Sequence, residues 1–196
     1  ETKHLAKQAA NASQLAIALG GDNSITYAVG LGVFGEYLAT AGLITLDAHH
    51  DLRDGISNGS PVRRLIEAGL DPKRIVQIGI NDFSNSASYA QLASDLGISV
   101  ISREMVAEIG IKEACNIALN VAGSAEGPIH VDLDVDVCDR SVVPACPAAA
   151  PGARGRQRRQ ARPLRLRGTG AAVPRRGRRG CRPRATARPA AEIGRA

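Results

Sequence analysis

Gly42-Leu43-Ile44-Thr45-Leu46-Asp47-Ala48-His49-His50-Asp51 decides the fold. An apolar run the length of one strand ends abruptly in two carboxylates and two imidazoles. Such a run reads as a buried strand, the kind found in parallel sheets covered by helices. A second run, Pro128-Ile129-His130-Val131, leads into Asp132-Leu133-Asp134-Val135-Asp136. In an extended strand, residues i, i+2 and i+4 share one face. This alternation predicts Asp47, His49 and Asp51 on one side of their segment, and Asp132, Asp134 and Asp136 on one side of the other. Carboxylates crowded at the mouth of a sheet repel one another unless a cation sits between them. A hard divalent metal that prefers oxygen and accepts one or two imidazoles fits the set, and two metals fit the ligand count better than one.

Working outward, residues 1–149 alternate between apolar runs and helical patterns. Strands are expected at 15–19, 43–47, 75–80, 98–102 and 129–135, and helices at 2–12, 24–39, 61–69, 85–96 and 104–122. Gly69 and Gly97 are placed to stop two helices, and Ser102 to cap the last. Strands alternating with helices argue for βαβ units and a mainly parallel sheet with helices on both faces. Ligands of such sheets gather beyond the carboxyl ends of the strands. Both acidic clusters fall there, as does Gly20-Gly21-Asp22-Asn23-Ser24.

Charge is segregated along the chain. The 196 residues carry a net +6, but residues 1–149 hold 10 Lys/Arg against 18 Asp/Glu, a net of −8. Residues 150–196 hold 15 Arg and one Glu, a net of +14. The expected division is therefore a partial α/β domain over 1–152 and an Arg/Pro/Ala-rich tail over 153–196. With few large aliphatics, the tail cannot bury enough surface to offset its ordering entropy. It has no aromatic residue for base stacking, and its monotony favours GC-rich DNA translated out of frame over a disordered basic tail. Nucleic acid enters as a partner only if the tail is genuine. Four cysteines (Cys115, Cys138, Cys146, Cys181) form no CxxC pair. With no long apolar run, a reduced, cytoplasmic protein without a membrane span is expected. The chain opens on Glu1, as a fragment lacking its N-terminus would.

At these motifs the chain resembles the arginase–agmatinase–formimidoylglutamase family, the ureohydrolases. Gly20-Gly21-Asp22-Asn23-Ser24 matches the family's GGDHS, Asp47 to Asp51 its DAHxD, and Asp134-Val135-Asp136 its DxD. Within the family the doubled His, Ser57-Asn58-Gly59-Ser60-Pro61-Val62-Arg63, Val76-Gln77-Ile78-Gly79-Ile80 and Phe83-Ser84-Asn85-Ser86 followed by Tyr89 look most like formimidoylglutamase.

The resemblance implies a three-layer arginase-like α/β fold, incomplete at the C-terminus, with two Mn²⁺ ions per subunit. Asp47 and Asp134 would bridge both metals and hold the attacking hydroxide. Asp51 would complete one metal, His49 and Asp136 the other, and Asn23 stands where the family has a metal-binding His. The implied reaction is hydrolysis of a linear amidine, formimidoyl-L-glutamate to L-glutamate and formamide in histidine degradation, by a homo-trimer or hexamer. The alternatives are an agmatinase or guanidinobutyrase, acting on a guanidine, and a catalytically defective member. Asn58, Arg63 and Asp82 are the substrate-binding candidates, with Arg63 or Arg64 gripping a carboxylate and Asn85 nearby.

Blander readings stand beside these. Asp132 can be the polar face of an edge strand, His50 a supporting group, His130 a satisfied core imidazole and His4 surface. Asp22 can equally cap the following helix. Cys138 and Cys146 read as small buried residues.

Overall fold

The computed structural model describes residues 1–146 and residue 149, all within the unit Glu1–Gly155. The expectations for residues 153–196 lie outside the described residues. Four strands, β1 (Gly42–Leu46), β2 (Ile75–Ile80), β3 (Ser99–Ser102) and β4 (Ile129–Leu133), form a parallel sheet in the order β3-β2-β1-β4. Among the described residues there are six α-helices: α1 (Thr2–Ala12), which packs on α2, α2 (Ile25–Phe34), α3 (Pro61–Glu67), α4 (Ala87–Leu96), α5 (Arg103–Ile109) and α6 (Ile111–Ala122).

The sheet separates two apolar layers. Phe34, Val62, Leu65 and Ala93 from α2, α3 and α4 close over Leu43 and Ile75 on one face. On the other face Ala114, Ala118 and Ala122 of α6 lie against Ile44, Val76, Ile78 and Ile101. Alanines at i, i+4 and i+8 form one stripe of a helix, and their small size lets α6 come close. At the closest point a Cβ on Gly42 would lie 2.1 Å from the Ala122 carbonyl oxygen.

Local signals explain most element ends. The Ser102 side chain accepts a hydrogen bond from Met105 N at 3.2 Å, and Ser86 one from Tyr89 N at 3.4 Å. Gly97 closes α4 at φ 77°. The single helix expected over 104–122 is two, because Gly110 adopts φ 84° and ψ 151°, outside the helical region.

Three further expectations are corrected. Residues 15–19 form no strand; Leu15, Ile17 and Leu19 are 76%, 78% and 93% exposed. An apolar alternating segment becomes a strand only beside a partner, and among the described residues β4 pairs with β1 alone. The second correction is that β1 ends at Leu46 and β4 at Leu133. Residues 47–51 and 134–136 thus lie in loops rather than on strand faces, with Asp132 still inside β4, and alternation does not set where the loop side chains point. Finally, the helix expected over 24–39 stops at Phe34, where Gly35 turns to φ 53°.

From β1 the chain winds outward through β2 to β3, then returns by α5 and α6 to β4 on the other side of β1. The strand order reverses between β1 and β4, where a doubly wound sheet opens a crevice at its carboxyl end. The loops after these two strands carry Asp47, Asp51, Asp134 and Asp136.

Candidate metal centre

The two loops interlock through their own backbone. Asp134 N donates to Leu46 O at 2.9 Å, and Ala48 N donates to an Asp136 carboxylate oxygen at 3.0 Å. Each loop also turns on its own first aspartate. Asp47 Oδ1 accepts from His49 N at 2.7 Å, and Asp134 Oδ1 from Asp136 N at 2.9 Å. These Asx turns bring His49 and Asp136 back towards the sheet. One atom each from Asp47, His49 and Asp136 then lies within 4.8 Å of the others. The His49 imidazole meets Asp136 Oδ2 at 2.9 Å and Asp47 Oδ1 at 3.4 Å through the same Nδ1.

Asp51 reaches the cluster by an unusual backbone. Its φ of 55° is left-handed, a region non-glycine residues seldom visit. Asn23, arriving from the turn before α2, donates its side-chain amide to Asp51 Oδ2, and its amide oxygen accepts from Thr26 Oγ1 at 3.1 Å. The oxygen expected to meet a metal thus faces Thr26, and the Asn23 side chain orients Asp51. Asp132, still within β4, accepts from Thr26 Oγ1 at 3.0 Å. Asp22 bonds Ser24 N at 2.9 Å, so it shapes the entry to α2.

The electrostatics are those of a site built around positive charge. Asp47, Asp51 and Asp136 are 1%, 5% and 8% exposed. Burial, then the charge of Asp47, pushes the Asp51 carboxyl up to about 8, and burial raises Asp47 as well. Burial opposes ionisation of Asp136 too, but hydrogen bonds from His49 and Ala48 N outweigh it and hold that carboxyl below its usual range. His49 is raised to about 10 by its hydrogen bonds to Asp136 and Asp47. Asp47 Oδ2 is buried with no hydrogen-bond donor. Acceptors crowded together, one of them wholly unmet, fit a hard cation with oxygen and imidazole ligands.

Beside the cluster opens a cavity of about 350 Å³ lined by Asn23, His49, Asp51, Asn58, Asp134 and Asp136 among others. Asn58, a substrate-binding candidate from the sequence, is among these lining residues. Arg63 and Asp82 are not among the lining residues: Arg63 pairs with Asp54 and Glu67, and Asp82 starts an exposed turn. Arg64 stacks over Tyr27, its guanidinium 3.7 Å from the ring centre. The cation that does line the cavity is Arg53, joined by Ser84, Asn85, Ser86 and Tyr89. Position was the available signal for Arg53, since it is the first basic residue after Asp51.

His50 is buried and packs behind the loop, as expected, while His4 is exposed on α1. His130 is a packed imidazole, edge-on to Phe34 at 6.2 Å and held near 4 by burial. Its Nε2, however, has no partner, so it is not the satisfied core histidine expected. Cys115, Cys138 and Cys146 are free and half-buried. No helix among the described residues is long and apolar enough to cross a membrane.

Comparison with known proteins agrees with this geometry. The sequence model described as the Arginase family matches residues 1–167. A formimidoylglutamase of Halalkalibacterium halodurans is 40% identical over 141 residues, covering 69% of this chain and 44% of that relative. The chain thus spans less than half the length of the curated relatives it matches. Among solved structures, the formimidoylglutamase of Bacillus subtilis superposes with a TM-score of 0.65 at 32% identity, covering 77% of this chain and 50% of that one. A Trypanosoma cruzi formiminoglutamase solved with Mn²⁺ shares the fold, with a TM-score of 0.70 at 23% identity, over 76% of this chain and 52% of that one.

Proposed function

The chain belongs to the arginase family, and from that membership we propose that it is a manganese-dependent hydrolase of linear amidines, converting formimidoyl-L-glutamate and water to L-glutamate and formamide. The observation that carries this reading is the unmet Asp47 Oδ2, buried among the carboxylates of Asp51 and Asp136 beside His49. Asp47, His49, Asp51, Asp134 and Asp136 are the residues that would hold the two Mn²⁺ ions. When bound, such ions lower the pKa of the water they hold and supply hydroxide at neutral pH.

Other tasks belong to the chain's own side chains. Asn23 keeps Asp51 turned towards the cluster. Arg53 supplies the cavity's cation, suited to a carboxylate of a glutamate-type substrate. Asn58, Ser84 and Tyr89 offer hydrogen-bonding groups that orient the remainder. The names of the formimidoylglutamase relatives support this substrate over a guanidine. The same reading carries a cytoplasmic homo-oligomer, trimer or hexamer.

The test is hydrolysis by the 196-residue chain loaded with Mn²⁺, read as formamide released from formimidoyl-L-glutamate and as urea released from agmatine. Turnover of the first alone is expected, together with loss of both Mn²⁺ retention and turnover in Asp134→Ala. Undiminished turnover in that variant would overturn the assignment.

A further inference from the structure

Gln77 is a polar side chain in the middle of β2, where every residue from Ile75 to Ile80 is buried, and it is itself fully buried. Burying an amide in an apolar layer is costly unless its donors and acceptor are matched. Both ends of this one are matched by a single residue of the neighbouring loop. Gln77 Nε2 donates to His50 O at 2.8 Å, and Gln77 Oε1 lies 2.7 Å from His50 Nδ1. Because a carbonyl only accepts, the first bond fixes which end of the amide faces which partner. The Oε1 is therefore left facing the imidazole, and His50 Nδ1 must carry the hydrogen.

A second amide completes the grip. Asn85, in the turn after β2, accepts from His50 N at 3.0 Å and donates to Ala48 O at 2.8 Å and to Asn81 O at 2.9 Å. The loop from Asp47 to Asp51 has already left the sheet, and it ends on a left-handed Asp51. It therefore needs an external hold to keep Asp47, His49 and Asp51 turned towards one place. We infer that Gln77 is a positioning residue: with Asn85 it clasps the 47–51 loop through both faces of His50 and so sets the geometry with which that loop receives a divalent cation. The inference rests on the proposed metal centre for its functional consequence, while the clasp itself is independent of any metal.

Outer partners that orient metal ligands typically change metal affinity by about 10- to 100-fold when removed. The experiment uses the full chain with ¹⁵N-labelled histidine, first metal-free and then titrated with Mn²⁺ alone. In the wild type, His50 should show the Nδ1–H tautomer. Gln77→Leu should weaken Mn²⁺ binding by about 10- to 100-fold and speed amide exchange over residues 47–53, leaving exchange in α6 unchanged. Gln77→Glu keeps an acceptor for His50 but loses the donor to its carbonyl, and should fall between the two. If Gln77→Leu does not fold, Gln77→Glu carries the same comparison.

An Nε2–H tautomer in the wild type overturns the clasp. So does a variant that melts earlier throughout yet binds Mn²⁺ as tightly as the wild type, with exchange over 47–53 unaltered. A wild-type chain that binds no Mn²⁺ but shows the tautomer and the local exchange change defeats the proposed metal centre and leaves the clasp standing.

Discussion

Arg53 and Arg63 are ten residues apart and share one chemistry, but only the first lines the cavity. The second spends its charge on Asp54 and Glu67 at the surface. Replacing Arg53 with Ala should therefore raise KM for formimidoyl-L-glutamate by about tenfold to a hundredfold, the worth of a charge-assisted hydrogen bond, with little change in kcat. Arg63→Ala should leave both constants near those of the wild type, and steady-state kinetics of the two variants separates these outcomes. Asp51 makes a second prediction. Its folded-state carboxyl sits near 8 against an ordinary 3.8, so between these values the folded chain holds a proton that the unfolded chain has released. Metal-free stability should accordingly fall as pH rises from about 4 to 8. His49, raised to about 10, acts in the same direction at higher pH, since its stabilising contribution is complete below about 6.5 and is lost as pH rises towards and past 10. Mn²⁺ binding near pH 7 should release protons, seen as a buffer-dependent heat in calorimetry and as a Mn²⁺-induced rise in Tm that grows with pH. The residue types of the proposed centre stand out in the sequence, because Asp47, His49, Asp51, Asp134 and Asp136 follow apolar runs. Their orientation was not, because Asx turns at Asp47 and Asp134, not strand alternation, aim them.

At the scale of elements, four of the five expected strands form, and the one that fails shows what a sequence pattern leaves out. Residues 15–19 alternate as well as any strand, yet pairing depends on a neighbour that no local pattern encodes. Helix ends were legible where a side chain or glycine marks them, as at Ser102 and Gly97. Gly110 was missed because a glycine inside an apolar-periodic stretch reads as a tolerated interruption. Its φ 84° and ψ 151° lie where only glycine is at ease, and nothing stands within 4 Å of the position a Cβ would take. Gly110→Ala should therefore cost about 1–3 kcal/mol through backbone strain alone, lowering Tm while leaving Mn²⁺ affinity unchanged. A variant as stable as the wild type would mean that α5 and α6 can join without that turn.

Across the whole molecule, the return of the chain from β3 to β4 brings two distant loops side by side at the carboxyl end of the sheet. The order of the strands thus places the site, before any single ligand is considered. The same return puts β4 at one border of the sheet, where among the described residues it is hydrogen-bonded on one side only. Val131 and Leu133 stand 54% and 64% exposed there, and β4 contains neither a lysine nor a proline of the kind that blunts such borders. A strand left half-satisfied is a template for whatever extended backbone arrives next. Concentration-dependent association through this border is therefore the expected behaviour. Light scattering should rise steeply with concentration, and Val131→Lys should move that threshold upward at unchanged Tm. Equal thresholds in the two proteins would show that β4 is not the seed from which the particles grow.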